Sequence, residues 1–115
     1  MSRHDPLIRL RHMLDHAREA VELIRGRTRD DLDRERMLEL SLVRLVEIVG
    51  EAAAHLTRDE QARYPTIPWP QVTGMRNRLI HGYDTIDLEI LWQILTSDLP
   101  PLITALGNIL SPKNP

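Results

Sequence analysis

Arg76 and His81 are the side chains of this sequence best suited to acid–base chemistry on a charged substrate. They stand in its densest polar run, Met75-Arg76-Asn77-Arg78-Leu79-Ile80-His81-Gly82-Tyr83. An arginine is permanently charged and presents a planar fork that matches a phosphate. A histidine, with an unperturbed pKa of about 6.5, gives or takes a proton near neutrality. Together they supply what cleavage of RNA by its own 2′-hydroxyl needs: a base for that hydroxyl, and a cation for the charge gathering on the phosphoryl oxygens. Such a reaction needs neither a metal nor a cofactor, and the sequence has no acidic cluster of metal-binding type. Asn77 precedes His81 by four residues, the same face of a helix, and is placed to orient the imidazole. Arg78 adds a second cation.

These residues need a frame. The spacing of Val72, Met75 and Leu79 predicts a helix from about Pro70 to His81, ended by Gly82. On an ideal helix, residues five apart are about 140° apart around the axis. Arginine's length, a re-aimed helix end or a site completed across a dimer interface would have to bring Arg76 and His81 together. A plainer role is open to both, since cationic side chains near a helix C-terminus stabilise its dipole. Upstream, Arg44, Glu47 and Glu51 form a polar ridge on another helix. It is either surface charge or a support, with Glu51 pairing Arg76 or Arg78.

The rest of the chain reads as helical scaffold. Asp5-Pro6 is an N-cap followed by proline at the first helical position. Leu10, Met13, Leu14, Ala17, Val21 and Ile24 then mark a helix that stops near Gly26. His12 and His16 lie opposite that stripe, on a face that reads as solvated rather than as a metal site. Thr28 and Asp31 form a partial cap inside a charged connection, residues 27–36. A second long helix runs from about Asp33 to Leu56. Its wide stripe of Leu38, Leu42, Leu45, Val46, Val49, Ala52, Ala53 and Leu56 implies a central position or a meeting with a second subunit. Gly50 and the alanines beside it would let a neighbouring backbone come close. Thr57-Arg58-Asp59-Glu60 is a capping box for a short helix that ends before Tyr64-Pro65. Pro65, Pro68 and Pro70 stiffen the next connection, and Trp69 plugs it into the core. Asp84 or Asp87 caps the last helix. Leu91, Leu95, Leu99, Leu102, Leu106 and Ile109 continue one stripe along it, although Pro100-Pro101 must kink or break it. No strand pattern is convincing. The expectation is a single all-α domain over 1–115, an antiparallel bundle of four main helices plus short ones, with a frayed tail at 111–115.

Composition limits the function classes. The chain has 115 residues, a formal net charge of -2 and a pI near 6.2, so it is no generic nucleic-acid coat and DNA is not an expected partner. Residues 84–115 hold only Lys113 against four acids, whereas Arg58, Arg63, Arg76 and Arg78 gather in the centre. A small local basic site fits that distribution better than a broad one. Without cysteine there is neither a disulfide nor a thiolate nucleophile. No signal peptide or membrane span is legible, and the expected compartment is the cytoplasm.

The run Arg76 to Tyr83 resembles the R-x4-H-x-Y signature of HepT-like proteins in the HEPN superfamily. Gly50-Glu51-Ala52-Ala53, Ile67-Pro68-Trp69, Gly74-Met75-Arg76-Asn77 and Leu99-Pro100 match that family in order, from the second helix to the last. The doubled proline is a local departure. The resemblance implies an all-α homodimer with the signature lining a cleft between subunits. It implies a metal-independent endoribonuclease, the toxin of a two-gene toxin–antitoxin system, using Arg76 and His81 on RNA. It also implies a partner, a minimal nucleotidyltransferase of MntA type that AMPylates Tyr83 and silences the nuclease. Without the resemblance, Tyr83 reads as a half-buried tyrosine closing a helix end. A competing expectation is a non-catalytic HEPN module that binds the nucleotidyltransferase or its nucleotide.

Overall fold

A computed structural model describes residues 5–81 and 85–111, with the side chain of His81 left aside. Helix α1, Pro6–Leu23, opens as its sequence predicts: the Asp5 carboxylate accepts the N–H of Leu7 at 2.9 Å and proline occupies the first turn. Its buried face is Leu10, Met13, Leu14, Ala17 and Ala20. Gly26 follows at φ 74, a left-handed turn that only glycine adopts without strain.

The second long helix is divided. A short α2, Asp31–Arg34, precedes α3, Arg36–Ala54, and Glu35 between them is extended at φ -119. Two side chains hold this junction. Asp31 accepts the N–H of Thr28 at 2.8 Å, and Arg27 grips the Glu35 carboxylate. Leu38, Leu42, Leu45, Val46, Val49, Ala52 and Ala53 of α3 are all buried. The Thr57–Glu60 box forms at both ends, at 3.1 and 2.9 Å, and starts α4, Arg58–Ala62. Trp69 is buried, its indole N–H donating to the carbonyls of Gln61 at 2.8 Å and Tyr64 at 3.2 Å.

The expected helix from 70 to 81 is shorter and interrupted. It consists of α5, Trp69–Thr73, and α6, Met75–Leu79, joined at Gly74. The chain then turns extended: β1, Ile80–His81, pairs antiparallel with β2, Thr85–Ile86, and the Asp87 N–H donates to the Leu79 carbonyl at 2.9 Å. This ribbon is the strand that pattern alone does not reveal, because two residues a side are too few to show alternation. Asp87 caps α7, Leu88–Gln93, accepting from the Ile90 N–H at 3.0 Å.

The last helix neither breaks nor stops at the prolines. Between α7 and α8, Leu99–Leu110, lies one π-helical stretch, Ile94–Asp98, in which the Leu99 N–H reaches back five residues to the Ile94 carbonyl. The wider turn comes just ahead of Pro100 and Pro101, which have no N–H to give and clash with the carbonyls of a regular ladder. Leu91, Leu95, Leu99, Leu102 and Leu106 all remain buried.

The fold is all-α, with the two-stranded ribbon its one sheet among the described residues. α1 packs on α3 and α8, α5 and α6 lie on α3, and α6 also meets α7. The split α5–α6 takes the place of the fourth main helix. Among the described residues no helix is long and apolar enough to cross a membrane. Of the tail expected to fray, 111–115, Ser111 still donates its N–H to the Gly107 carbonyl at 2.9 Å, and residues 112–115 lie outside the described ones, as do Asp84 and Gly82.

Candidate functional site

The site is built where α5–α6 leans on α3. Gly50 permits that approach: a Cβ built there would stand 3.3 Å from the Val72 carbonyl oxygen. Helix backbones this close fix α6 relative to the polar ridge of α3. Met75 and Leu79 point inward and are buried, which leaves Arg76 and Asn77 exposed.

Arg76 is tethered by one atom. Its Nε lies 3.2 Å from Glu47 Oε2, and its two terminal nitrogens have no partner among the described residues. The Glu47 side chain is 19% exposed and that of Arg76 56%. The carboxylate therefore sits partly within the protein while the guanidinium fork faces outward. The other oxygen of Glu47 is 3.6 Å from Arg44, and Arg44 in turn is 3.4 Å from Glu51. The ridge is thus a chain of alternating charges: Glu51, Arg44, Glu47, Arg76. This corrects the expected support. Glu51 pairs neither Arg76 nor Arg78; it lies one turn further along α3, half exposed, and Glu47 holds the place assigned to it.

Arg78 turns the other way. Its Nη2 lies 2.5 Å from Asp98 Oδ2, and the Asp98 side chain is only 10% exposed. Arg78 Nε is buried without an acceptor among the described residues. Sequence reasoning missed Asp98 as a partner. The signal was there, since Asp98 falls between Leu95 and Leu102 of an apolar stripe, and a carboxylate so placed needs a cation.

The early end of α6 changes the geometry of the signature. Asn77 and His81 do not share a helical face, because the backbone leaves the helix after Leu79 and His81 is extended opposite Thr85. Arg76 and His81 are likewise not fixed at helical spacing. The side chain of His81, and Tyr83 altogether, lie outside the described residues. On α1, His12 and His16 stack edge to face at 6.3 Å, and the His16 ring bonds the His12 carbonyl.

The family comparison agrees with the signature. A family model described as Ribonuclease HepT-like matches residues 13–109. A protein of Methanocaldococcus jannaschii named as a candidate RNase is 31% identical over 89% of this chain and 94% of its own length. A similarly named protein of Caldanaerobacter subterraneus is 30% identical over 88% of this chain and 90% of its own. The "Probable ribonuclease HepT" of Thermococcus cleftensis is 34% identical over 77% and 84%. No solved structure matches significantly. With the family model spanning nearly the whole helical scaffold and the signature in its place on it, this chain belongs to the HepT-like ribonuclease family.

Proposed function

We propose that the chain is a metal-independent endoribonuclease and the toxin of a toxin–antitoxin pair. The observation that carries this is Arg76: a guanidinium that among the described residues is tethered through Nε alone, its fork without a partner there, on the turn before the chain enters the strand of His81. A fork so presented suits a phosphodiester. His81 takes the proton of the 2′-hydroxyl, and the 2′-oxygen attacks phosphorus. The bond to the 5′-oxygen breaks, and that oxygen receives a proton from the imidazolium. The products are a 2′,3′-cyclic phosphate and a 5′-hydroxyl. Arg76 stabilises the charge on the phosphoryl oxygens. Arg78 and Asp98 anchor α6, Asn77 lines its exposed face, and Glu47 aims Arg76.

In this proposal two subunits form a homodimer, and a nucleotidyltransferase of MntA type attaches AMP to Tyr83. The added phosphate would then compete with RNA for Arg76. The test uses the purified chain on single-stranded RNA in excess EDTA. Cleavage leaving a cyclic phosphate, abolished in Arg76→Ala and His81→Ala, is expected. Cleavage that requires added Mg²⁺ and survives His81→Ala rejects the mechanism. Peptide mass mapping after incubation with the partner enzyme and ATP should place AMP on Tyr83.

A further inference from the structure

A groove of about 300 Å³ runs between α1 and α3, lined by Arg9, His12, Arg44, Ile48, Glu51 and His55 among others. Its α3 wall, from Arg44 to His55, follows one helical face and is about 16 Å long. Two features set it apart from ordinary solvated charge. Arg9 is half-buried and has no ion pair among the described residues, and its Nε–H is buried without an acceptor. Arg44 is held loosely, between Glu47 at 3.6 Å and Glu51 at 3.4 Å, with its side chain 60% exposed. His55 gives one ring nitrogen to the Glu51 carbonyl at 2.7 Å, which leaves the other available at the rim. One carboxylate of the lining, Glu51, is half exposed and pairs with Arg44.

The groove also joins the proposed catalytic site. Arg44 and Arg76 sit on opposite oxygens of the same carboxylate, Glu47. A strand whose scissile phosphate meets Arg76 therefore has a second cationic position one carboxylate away. We infer that the α1–α3 groove is a phosphate subsite for single-stranded RNA, in which Arg9 and Arg44 bind a backbone phosphate flanking the one held by Arg76. This rests on the ribonuclease proposal above. The anion displaces the Glu51 carboxylate from Arg44 and meets the part of the Arg9 guanidinium that lines the groove. Recognition is by phosphate alone, in keeping with a chain that has few aromatic residues for base stacking.

The test measures binding of a labelled 2′-O-methyl RNA oligonucleotide, which cannot form the cyclic product, at several salt concentrations, beside cleavage of ordinary RNA. Each phosphate contact on a single strand contributes about 0.7 to the salt slope. Arg9→Gln with Arg44→Gln should flatten the slope by about that amount and weaken binding about tenfold, with the cleavage loss falling mainly on KM. Arg44→Gln alone, at an exposed position, should show part of the effect, and Arg9→Lys should retain binding. Cleavage by the wild type with unchanged KM and slope in the double variant overturns the groove and leaves the ribonuclease standing. Groove-dependent binding without cleavage retains the groove and removes the nuclease. No binding and no cleavage removes both. If inorganic phosphate or ATP competes as well as the oligonucleotide does, the subsite takes small phosphates, and the RNA assignment is overturned.

Discussion

Arg78 and Asp98 close a 2.5 Å ion pair between the turn that carries Arg76 and the π-helical stretch of the last helix. The pair is lopsided in exposure, 39% for Arg78 and 10% for Asp98, so the carboxylate is the more dependent partner. Breaking one end of a fully buried pair costs about 3–5 kcal/mol. Solvent around Arg78 screens part of that. Asp98→Ala should therefore destabilise the protein by about 1–2 kcal/mol in urea denaturation, because it strands an arginine whose Nε already lacks an acceptor. The double variant with Arg78→Ala should lose less than the sum of the two single losses. Strict additivity would mean that the pair does not hold α6.

Glu47 is expected to matter for catalysis through the guanidinium that it aims. Glu47→Gln keeps the shape and removes the charge, so kcat on RNA should fall on the order of tenfold through loss of orientation. The loss should exceed that of Glu51→Gln, whose carboxylate among the described residues pairs with Arg44. The reverse order in steady-state kinetics would restore Glu51 as the supporting acid.

Gly50 separates two opposed effects. Alanine there gains about 0.5–1 kcal/mol of helix propensity, but its Cβ would press on the Val72 carbonyl oxygen at 3.3 Å. Gly50→Ala should come out near neutral. Gly50→Val, which adds two methyls to the same crossing, should lose about 1–3 kcal/mol in thermal or chemical unfolding. A valine variant as stable as the wild type would mean that α5 is free to move away from α3.

Trp69 fastens the proline connection to α4 through a single N–H. Trp69→Phe takes that donor from the Gln61 and Tyr64 carbonyls, which keep the backbone N–H groups of Tyr64 and Ile67, at a cost of about 0.5–1.5 kcal/mol. The urea midpoint should fall with little change in slope. An unchanged midpoint would mean that water replaces the indole.

The sequence shows most of this architecture because its long elements carry strong local signals. The Asp5 cap, the Thr57–Glu60 box, the stripes of α1, α3 and the last helix, and the close approach at Gly50 all follow from residue types at fixed spacing. The failures share one cause: each is decided by a contact that residue type at helical spacing does not announce. Glu35 leaves the helix while held by Arg27, and α6 ends at Leu79, where Ile80 and His81 pair with Ile86 and Thr85. Choosing Glu47 over Glu51 requires knowing how α6 crosses α3. Both acids lie on the predicted ridge, and only the crossing selects between them.

The π-helical stretch acts as a phase corrector. In a regular helix, steps of four residues run ahead of the turn by about 40° each, so Leu91, Leu95 and Leu99 would drift off the core by nearly a quarter circle. The wide turn takes up part of that drift, and Leu91, Leu95 and Leu99 all stay fully buried. Asp98 is the last residue of that turn, so the adjustment that keeps α8 seated on the core also points a carboxylate at Arg78. Deleting one residue between Ile94 and Asp98 would thus remove the wide turn and return the stretch to a regular ladder, taking Asp98 from its place on the bulge. It would release the arginine at the same stroke, which makes the length of this stretch, more than its composition, the quantity on which the site depends.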